Sequence, residues 1–344
     1  MKTLLMSTAI VCILAIHTSY AQHPVIAVQN GNSPAFFTVL EDALDASEDG
    51  DTLYFPGGSF QLTSEIDKTL HFVGTGHYPN NEPATGISRI LGNVYLVDGA
   101  DSCSFEGFYL NNLYLANGQN HNIFIAISGI KLIRCNAGEI QLGGTYNDAN
   151  NPTNDVKDIV ISECVVRGNI LGENAKSVVI EKNIITGDIR DFNAGVSVSN
   201  NIFLNDPTRV NEGVVFNNNI FLYDSNPLVY DKYHTFNNNV FVYDFSSGTG
   251  TSTFIDNITG VTADEIFVNF SGTQFDYEHD YHLKSGSPAA GAGIGGKDAG
   301  IYGHSQPYTD GITSYPYIHD IHIPNTTDES GTLNIEVKVS ARDY

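Results

Sequence analysis

Near-copies of one five-residue phrase recur along the middle of the chain, and each has Asn or a similar residue at matching positions. The copies are Glu181-Lys-Asn-Ile-Ile, Ser199-Asn-Asn-Ile-Phe, Asn217-Asn-Asn-Ile-Phe and Asn237-Asn-Asn-Val-Phe. Their third residues, Asn183, Asn201, Asn219 and Asn239, are separated by 18, 18 and 20 residues. A fixed period near 20 residues predicts a solenoid, in which each repeat forms one coil that packs on its neighbours.

The residues within each unit favour strands over a leucine-rich repeat of the same length. The Leu-x-x-Leu-x-Leu framework is missing, and β-branched or aromatic residues alternate instead, with Asn and Gly at the bends. Matching i, i+2 pairs are Val178 and Ile180, Val196 and Val198, Val214 and Phe216. A strand in each coil would point the same two side chains inward, and short strands stacked in parallel form a β-helix.

The repeated Asn predicts a ladder of side-chain amides at a turn. A stacked amide can donate a hydrogen bond to the coil on one side and accept one from the coil on the other. Cys164, 19 residues before Asn183, continues the series. The pattern resembles the right-handed parallel β-helix proteins of the pectate-lyase-like superfamily, which have the pectin-lyase fold built from PbH1 repeats. The resemblance covers about residues 25 to 305 and implies a secreted bacterial protein.

The N-terminal part of the mature chain predicts a capping helix over residues 36 to 47. Phe36, Leu40, Ala43 and Leu44 would share one helical face, and Thr38 with Glu41 would form a capping box. An amphipathic helix there would cover the open end of the solenoid. The following segment, 48 to 58, resembles the opening of extracellular β-helix proteins and is interpreted as the first full coil.

The C-terminal part predicts the end of the solenoid and a β-hairpin. Residues 280 to 303 resemble the closing coil of secreted β-helix proteins. Two alternating runs, 317 to 323 and 333 to 339, predict two strands that cap the solenoid or begin an appended β-sandwich. The expected fold is all-β: a right-handed parallel β-helix solenoid at 22–307, with the N-terminal capping helix and a C-terminal β-hairpin cap or tail at 308–344.

Residues 1–21 have the charge, apolar run and small-residue end of a secretory signal peptide. Val11 stands where a lipobox needs a small residue, which argues against lipidation of Cys12. No second apolar run is long enough to form a transmembrane segment. We expect the protein to be secreted, either extracellular or at the cell surface.

The chain is strongly acidic, with 39 Asp and Glu against 16 Lys and Arg and a formal charge of -23. Loss of Lys2 with the signal peptide makes the charge -24. This excess argues against nucleic acid as a partner and favours a monomer. It also means that a polyanionic substrate such as pectin would be repelled unless cations or a local basic groove intervene.

Three cysteines, Cys103, Cys135 and Cys164, remain in the mature chain, so internal pairing cannot be complete. Cys135 and Cys164 fall near the ladder column on neighbouring coils. A disulfide between directly stacked strand positions would need unfavourable side-chain directions. We therefore favour buried thiols that act as packing residues.

A second column of acidic residues lies five positions after the ladder. It consists of Asp188, Asp206, Asp224 and Asp244, with Asn169 at the corresponding place after Cys164. In superposed coils these carboxylates would lie about 5 Å apart. They would either accept hydrogen bonds from turn amides or share Ca²⁺, the one candidate cofactor of the chain.

Catalytic residues are only weakly indicated. A β-helix lyase typically needs a basic residue beside carboxylates that hold Ca²⁺, and Arg167, Arg190 and Asp188 could form such a patch. Surface ion pairing would explain the same residues. The signature motifs of pectate lyases and polygalacturonases are absent from the sequence.

Binding residues are equally open. Tyr223 and Tyr243 could stack on sugar rings or pack in the wall. Inserted segments at 77–89 and 145–155 could border a groove or could be tolerated surface loops. The first hypothesis is a protein that binds a polysaccharide or cell-surface glycan along one wall. The competing hypotheses are a Ca²⁺-assisted polysaccharide lyase or glycoside hydrolase, and a structural or adhesive cell-surface protein.

Overall fold

The chain forms a parallel β-helix in a computed structural model, as the repeats predict. The structure describes residues 24–31, 33–79, 86–116, 126–143, 156–172, 175–192, 195–205, 208–209, 213–225, 233–245, 251–311, 317–322, 326–327, 330–332 and 336–340. Successive strands visit three sheets, here named sheets A, B and C, and each sheet pairs its strands in parallel from one coil to the next.

Sheet A contains Ile26–Asn30, Ser33–Phe37, Asp51–Tyr54, Leu70–Val73, Ser104–Glu106, Ile127–Ser128, Lys131–Ile133, Val156–Ser162, Lys176–Glu181, Val196–Ser199, Val215–Asn217, Thr235–Asn237 and Thr253–Ile255. Sheet B contains Gly58–Gln61, Ser88–Leu91, Tyr109–Leu110, Asn136–Ala137, Val165–Val166, Ile184–Ile185, Ile202–Phe203, Ile220–Phe221 and Val240–Phe241. Sheet C contains Val94–Leu96, Leu113–Leu115, Ile140–Leu142, Ile170–Leu171, Ile189–Arg190 and Thr208–Arg209.

The main core fills the inside of the coils, and the predicted i, i+2 positions point into it. Ile180, Val198 and Phe216 are paired in register on successive strands and are fully buried. Sheet B adds stacked aromatic rings, with Phe221 lying 4.8 Å from Phe203 and 4.5 Å from Phe241 between ring centroids. Inward side chains of one type thus lie above one another along the solenoid, which confirms the alternation found in the sequence.

The predicted Asn ladder is present at the corner between sheets A and B, and it extends to Asn257. Asn219 is typical: its Nδ2 donates to Asn239 Oδ1 at 3.0 Å and to the Val198 carbonyl at 2.9 Å. Its Oδ1 accepts from the backbone N–H of Asn201 at 2.8 Å. Cys164 continues the column, because its N–H donates to Asn183 Oδ1. Each rung from Asn183 to Asn239 therefore satisfies polar groups of neighbouring coils in a fully buried position.

The residue before each ladder position has a positive φ and points outward. This outer turn column consists of Arg134, Glu163, Lys182, Asn200, Asn218, Asn238 and Asp256, with φ between 51° and 57°. The left-handed region suits Asn but costs other residues roughly 1 kcal/mol or more. Three positions nevertheless hold long charged side chains, so their contacts must stabilise the turn.

Those contacts form a buried ion network. Glu163 accepts from Lys182 Nζ at 3.0 Å and from Arg134 Nε at 3.1 Å. Arg134 Nη1 also reaches Glu106 at 2.7 Å. Burial raises the pKa of Glu163, but the positive charges of Arg134 and Lys182 outweigh that effect and lower it below the ordinary value. The carboxylate is consequently ionised and shared between two cations.

The three mature cysteines are buried free thiols, as the sequence favours. Cys135 donates its backbone N–H to the sulfur of Cys164 at 3.4 Å, so both belong to the ladder column. Burial raises the pKa of Cys103 and of Cys135 to about 12. These thiols are therefore protonated packing groups, not reactive thiolates.

The N-terminal end is capped by a short helix, Leu40–Ala46, which buries Leu40, Ala43 and Leu44. The predicted capping box is wrong, because the N-cap is Val39 and the Glu41 carboxylate accepts from Thr63 and Ser64 of the first coil instead. Phe36 is also outside the predicted helical face. It lies in Ser33–Phe37, which forms an antiparallel hairpin with Ile26–Asn30, and it is 66% exposed.

The first full coil begins where the sequence indicates. Asp51–Tyr54 pairs in parallel with Leu70–Val73 and antiparallel with Ile26–Asn30. The N-terminal hairpin therefore occupies the edge of sheet A, while the helix covers the core beneath it. Together they close the end of the solenoid.

Residues 261–311, here called the C-terminal cover, lie outside the coils instead of forming the expected closing coil. The cover contains the helix Ala263–Ile266, the antiparallel strands Phe267–Asn269 and Asp280–Leu283, and the 3-10 turn Ile294–Gly296. It packs on the outward face of sheet B. The second core between them consists of Val165, Ile184, Ile202, Leu204, Ile220 and Val240 from the coils, with Ile266, Phe267, Tyr281, Ala289, Ala299, Ile301 and Tyr308 from the cover.

The cover also binds the outer turn column along its length. Asn238 donates to the Ala292 carbonyl, Asn200 donates to the Gly300 carbonyl, and Thr309 donates to Glu163 at 2.8 Å. The cover thus runs back from the last coils towards the first ones. Its hydrogen bonds use the polar side chains that the positive-φ turns direct outward.

The predicted C-terminal hairpin is present as Tyr317–His322 paired antiparallel with Glu336–Ser340. The division of the chain at residue 307 stays a prediction. In the part of the chain that the structure describes, no helix is both long and apolar enough to span a bilayer.

Replacement of a central ladder residue tests the amide column. Asn219→Asp removes the two donations from Nδ2 and places a carboxylate beside the oxygens of Val198 and Asn239. We expect the free energy of unfolding to fall by at least about 3 kcal/mol at pH 7. The loss should shrink towards pH 4, because the protonated carboxyl can again donate. Urea denaturation at pH 7 and at pH 4 measures this loss of unfolding free energy.

The matched control for this change is Asn257→Asp at the half-buried last rung, where water can solvate the charge. We expect it to cost only about 1 kcal/mol. Equal losses at both rungs, or a loss at Asn219 that does not change with pH, would contradict the assigned role of the ladder.

The ion network gives a second prediction. Glu163→Gln leaves Arg134 and Lys182 buried without their shared anion, and we expect a loss of about 3 kcal/mol in unfolding free energy at pH 7. Because the folded pKa of Glu163 is lowered, its contribution is present above the ordinary value of 4.5 and is lost as the pH falls through the folded value. The difference between wild type and variant should therefore narrow in acid.

Glu181→Gln serves as the control, since this carboxylate is more exposed and lies 3.8 Å from Lys182 Nζ. It should change the unfolding free energy by less than about 1 kcal/mol. Proteolysis under native conditions adds a second measurement. Glu163→Gln, and not Glu181→Gln, should accelerate cleavage within the cover, because Thr309 loses its ionised acceptor.

Candidate functional site

The outward side of sheet C carries a row of polar and aromatic side chains, here called the sheet C face. Its members are Tyr95, Tyr114, Gln141, Leu171 and Arg190, which pair in register from strand to strand. Gln141 is buried, and the other four are half-buried. The residues beside them point inward: Val94 and Leu96, for example, are fully buried. Alternation along each short strand therefore fixes which side chains form the face.

Two stacked tyrosines occupy the N-terminal half of the face. The rings of Tyr95 and Tyr114 lie 5.0 Å apart at an angle of 14°. Asn93 Nδ2 donates to the Tyr95 hydroxyl at 3.3 Å, and Asn112 Nδ2 donates to the Tyr114 hydroxyl at 3.2 Å. Since each hydroxyl accepts from an amide, its own proton remains a donor that can be directed away from the wall.

Burial raises the pKa of Tyr114 above its ordinary value, although the hydrogen bond from Asn112 opposes the shift. The phenol therefore stays protonated throughout the neutral range. Because the two rings are stacked face to face, the pair presents its ring edges and hydroxyl groups to solvent. The chemistry of this part of the face is hydrogen-bond donation to oxygen.

The C-terminal half of the face carries an ion pair between two predicted site residues. Arg190 donates through Nη2 to both oxygens of Asp188, at 2.8 and 2.9 Å, and through Nε to Oδ1 at 3.1 Å. Burial lowers the pKa of Arg190, but its hydrogen bonds with Asp188 and the charge of that carboxylate raise it overall. Arg190 therefore remains a cation and cannot accept a proton as a lyase base.

Asp191, which no sequence pattern indicates, follows the same strand. Its φ is +61°, and its Oδ2 is enclosed without a hydrogen-bond partner among the described residues. Burial and the neighbouring charge of Asp188 raise the pKa of Asp191, while Arg190 opposes them. The repeat gives no signal for this residue, because its environment depends on how the corner folds.

The structure does not bring Arg167 to this pair. Its guanidinium carbon lies 4.3 Å from the centroid of the Tyr109 ring, and its Nη2 donates to the Leu110 carbonyl at 2.6 Å. Tyr109 and Leu110 belong to sheet B two coils earlier. The predicted patch of Asp188, Arg190 and Arg167 is therefore reduced to the first two residues.

The acidic column is only partly described. Asp206 lies outside the described residues, Asp224 and Asp244 are exposed, and Asp188 is held by Arg190. Asn169, at the equivalent place one coil earlier, accepts the backbone N–H of Asp188 at 3.2 Å, as expected for a turn-amide contact. Within the described ranges no group of three His, Cys, Asp or Glu side chains could hold a metal ion. At Asp188 the residues do not fit Ca²⁺, and calcium elsewhere on the column stays a prediction.

Tyr223 and Tyr243 are half-buried and lie in successive coils at the corner after sheet B. Tyr243 packs edge to face on Phe245 with ring centroids 5.0 Å apart, as wall packing would require. Sugar stacking by either ring stays a prediction.

The predicted loop rims are also incompletely described. The segment 145–155 lies outside the described residues. In the segment 77–89, His77 does not leave the wall but is fully buried beside Tyr277 of the cover.

Comparison of the chain with models of protein families, curated proteins and solved structures finds no match.

Proposed function

We propose that the protein binds a polysaccharide or cell-surface glycan along the sheet C face. The observation that carries this proposal is the stacked tyrosine pair, whose hydroxyls are oriented by Asn93 and Asn112. A glycan offers many oxygen acceptors along its length, and the face offers donors at the spacing of adjacent strands, about 4.8 Å. Orientation by the wall reduces the entropy that these groups lose on binding.

The remaining parts of the face suit the same ligand. Leu171 adds an apolar contact for a sugar ring, and Arg190 adds N–H donors at its exposed edge. Because Asp188 neutralises Arg190, the described part of the face carries little net positive charge. This favours hydroxyl-rich sections of a polymer over densely charged ones.

Membership of the pectate-lyase-like superfamily and export by the signal peptide are parts of the same proposal. The parallel three-sheet coil and the Asn ladder support the first, and the character of residues 1–21 supports the second. Export of this fold would bring the face into contact with extracellular glycans.

Tyr114→Phe tests the binding face with a single-atom change. We expect an affinity about three- to ten-fold weaker for any glycan that wild type binds, because one hydroxyl donor is lost. Affinity electrophoresis against a panel of neutral and uronate-containing polysaccharides would select the ligand, and calorimetry would quantify it. Tyr54→Phe, on the outward side of sheet A, is the matched control. Equal affinities of wild type and Tyr114→Phe for every retained glycan would contradict the proposal.

A second candidate function is glycoside hydrolysis, favoured by the two carboxyl groups that flank Ile189–Arg190. Asp188 forms an ion pair with Arg190, whereas burial raises the pKa of Asp191 above its ordinary value. Glycosidic cleavage needs two carboxyl groups, one that donates a proton and one that acts as base or nucleophile. In this role Asp191 would protonate the leaving oxygen, and Asp188 would act as base or nucleophile.

Incubation with the same panel distinguishes hydrolysis from a Ca²⁺-assisted lyase and from a structural or adhesive role. Hydrolysis produces reducing ends alone, whereas lysis of uronates also produces unsaturated products that absorb ultraviolet light. For hydrolysis we expect Asp191→Asn to lower the rate at least about 100-fold while the glycan still binds. Ultraviolet absorbance that a chelator abolishes would indicate the lyase instead. No cleavage in any sample would leave binding or a structural role.

A further inference from the structure

The outward column of sheet B changes its chemistry where the C-terminal cover ends. From Val165 onwards the column is apolar and buried under the cover. The preceding strands instead place Arg89, Tyr109 and Asn136 in register on the same side. Arg89 is exposed, Tyr109 is half-buried, and Asn136 lies beneath the edge of the cover. A polar site is therefore formed between the open part of this wall and the cover.

Two guanidinium groups converge on the ring of Tyr109. The Cζ of Arg89 lies 5.1 Å from the ring centroid, and the Cζ of Arg167 lies 4.3 Å from it. Arg89 comes from the strand before Tyr109, whereas Arg167 follows a strand two coils after it, so residues from different coils meet at this ring. Cation–π contacts hold each group without using its N–H donors.

Neither guanidinium has a carboxylate partner among the described residues. This is unusual in a chain with 39 Asp and Glu and only 16 Lys and Arg, where acidic partners are abundant. Two like charges beside one ring repel each other, and an anion bound near both of them offsets that repulsion. The arrangement is therefore more favourable with a bound anion than without one.

Arg167 is also fixed in place. Its Nη2 donates to the Leu110 carbonyl at 2.6 Å, and its plane is held near Tyr109. A guanidinium has five N–H donors, so donors remain for a ligand after this contact. Such a group loses little conformational freedom on binding and can form paired hydrogen bonds to two oxygens of one anion.

The cover provides the back of the site. Tyr277 accepts from Asn136 Nδ2 at 2.9 Å and lies 3.3 Å from His77 Nδ1. Asn136 is 1% exposed, and its Oδ1 has no hydrogen-bond partner among the described residues. Burial, with a smaller effect from the charge of Arg167, lowers the pKa of His77 to about 3, so its ring stays neutral. The positive charge of the site is that of Arg89 and Arg167.

The geometry points to an oxyanion-binding site formed by Arg89, Tyr109 and Arg167 at the edge of the cover. The ligand group is a carboxylate or a sulfate ester carried by an acidic extracellular polymer, and its oxygens take the N–H donors of the two guanidinium groups without a metal ion. This site lies on sheet B and is separate from the proposed glycan site on the sheet C face. It would let the wall bind charged sections of a polymer that the acidic surface otherwise repels.

The test uses the mature chain and four probes: sodium sulfate, an oligogalacturonate, dextran sulfate and uncharged dextran. Calorimetry in low salt with chelator present should detect binding of the charged polymers through the sheet B site, and any binding of dextran should not depend on that site. Arg89→Gln/Arg167→Gln should weaken the binding of the charged polymers at least about ten-fold, and added salt should weaken the wild type. Arg89→Lys/Arg167→Lys keeps both charges but loses the planar donors. Its affinity for the charged polymers should therefore lie between that of the wild type and that of the double Gln variant.

Lys131→Gln, an exposed residue on sheet A, is the control for removing positive charge. It should leave the affinity for charged polymers within about two-fold, and thermal unfolding should show that all variants are folded. Preference for oligogalacturonate identifies the carboxylate, and preference for dextran sulfate identifies the sulfate ester. Wild-type affinity in the double Gln variant would overturn the site, and binding of free sulfate but of neither polymer would overturn the polymeric ligand.

The two sites can fail independently. Tyr114→Phe should not change the affinity for the charged polymers through the sheet B site, and the double Gln variant should not change the affinity of a neutral glycan for the sheet C face. Loss of both activities in one of these variants would contradict the separation of the sites.

Discussion

The buried Asn ladder is the interaction on which the other features of the wall depend. A rung such as Asn219 donates to both neighbouring coils and accepts from the preceding one, so a slip in register would leave several buried polar groups without partners. Fixing that corner fixes the strands on both sides of it. The outward side chains of sheets B and C then fall into straight columns, which is why Tyr95 stacks on Tyr114 and Arg89 lies beside Tyr109.

The same corner also determines where the C-terminal cover binds. Each inward ladder residue follows an outward residue with a positive φ, as at Asn200, Asn218 and Asn238. Their side chains supply hydrogen bonds to the cover, and Glu163 supplies an ionised acceptor for Thr309. The inner and outer residues of the turn therefore have linked roles: one joins the coils, and the other attaches the cover to them.

The parts of the fold that repeat are predictable from the sequence, whereas the cover is not predicted by the repeat. The period locates the ladder, and the i, i+2 alternation locates the inward residues of sheet A. A signal for the cover is nevertheless present, because Ile184-Ile185, Ile202-Phe203 and Ile220-Phe221 place two adjacent apolar residues on a short strand. Adjacent strand residues face opposite sides, so such pairs indicate that both faces of sheet B are buried. If both residues of each pair are assigned to the core inside the coils, the cover is not predicted.

The candidate sites are less predictable because they depend on features that do not repeat. Asp188 and Arg190 can be paired from the sequence because i and i+2 on one strand share a face, which is a local property. Arg167 cannot be placed in this way, since its side chain reaches Leu110 two coils away. Its contacts depend on the length of a corner and on the rotamer of a long side chain, and neither follows from the period. The enclosed position of Asp191 Oδ2 arises in the same way.

The cover gives one scaffold two chemically different surfaces. Columns of the β-helix are equivalent in backbone geometry, so the chemistry of a wall depends on which outward residues remain uncovered. On sheet B the cover buries the apolar column and ends at Asn136, leaving two guanidinium groups at its edge. On sheet C the described column instead presents hydroxyl groups and one neutralised arginine. Under the two proposals, the two walls bind different sections of one polymer, the charged sections through sheet B and the uncharged sections through sheet C.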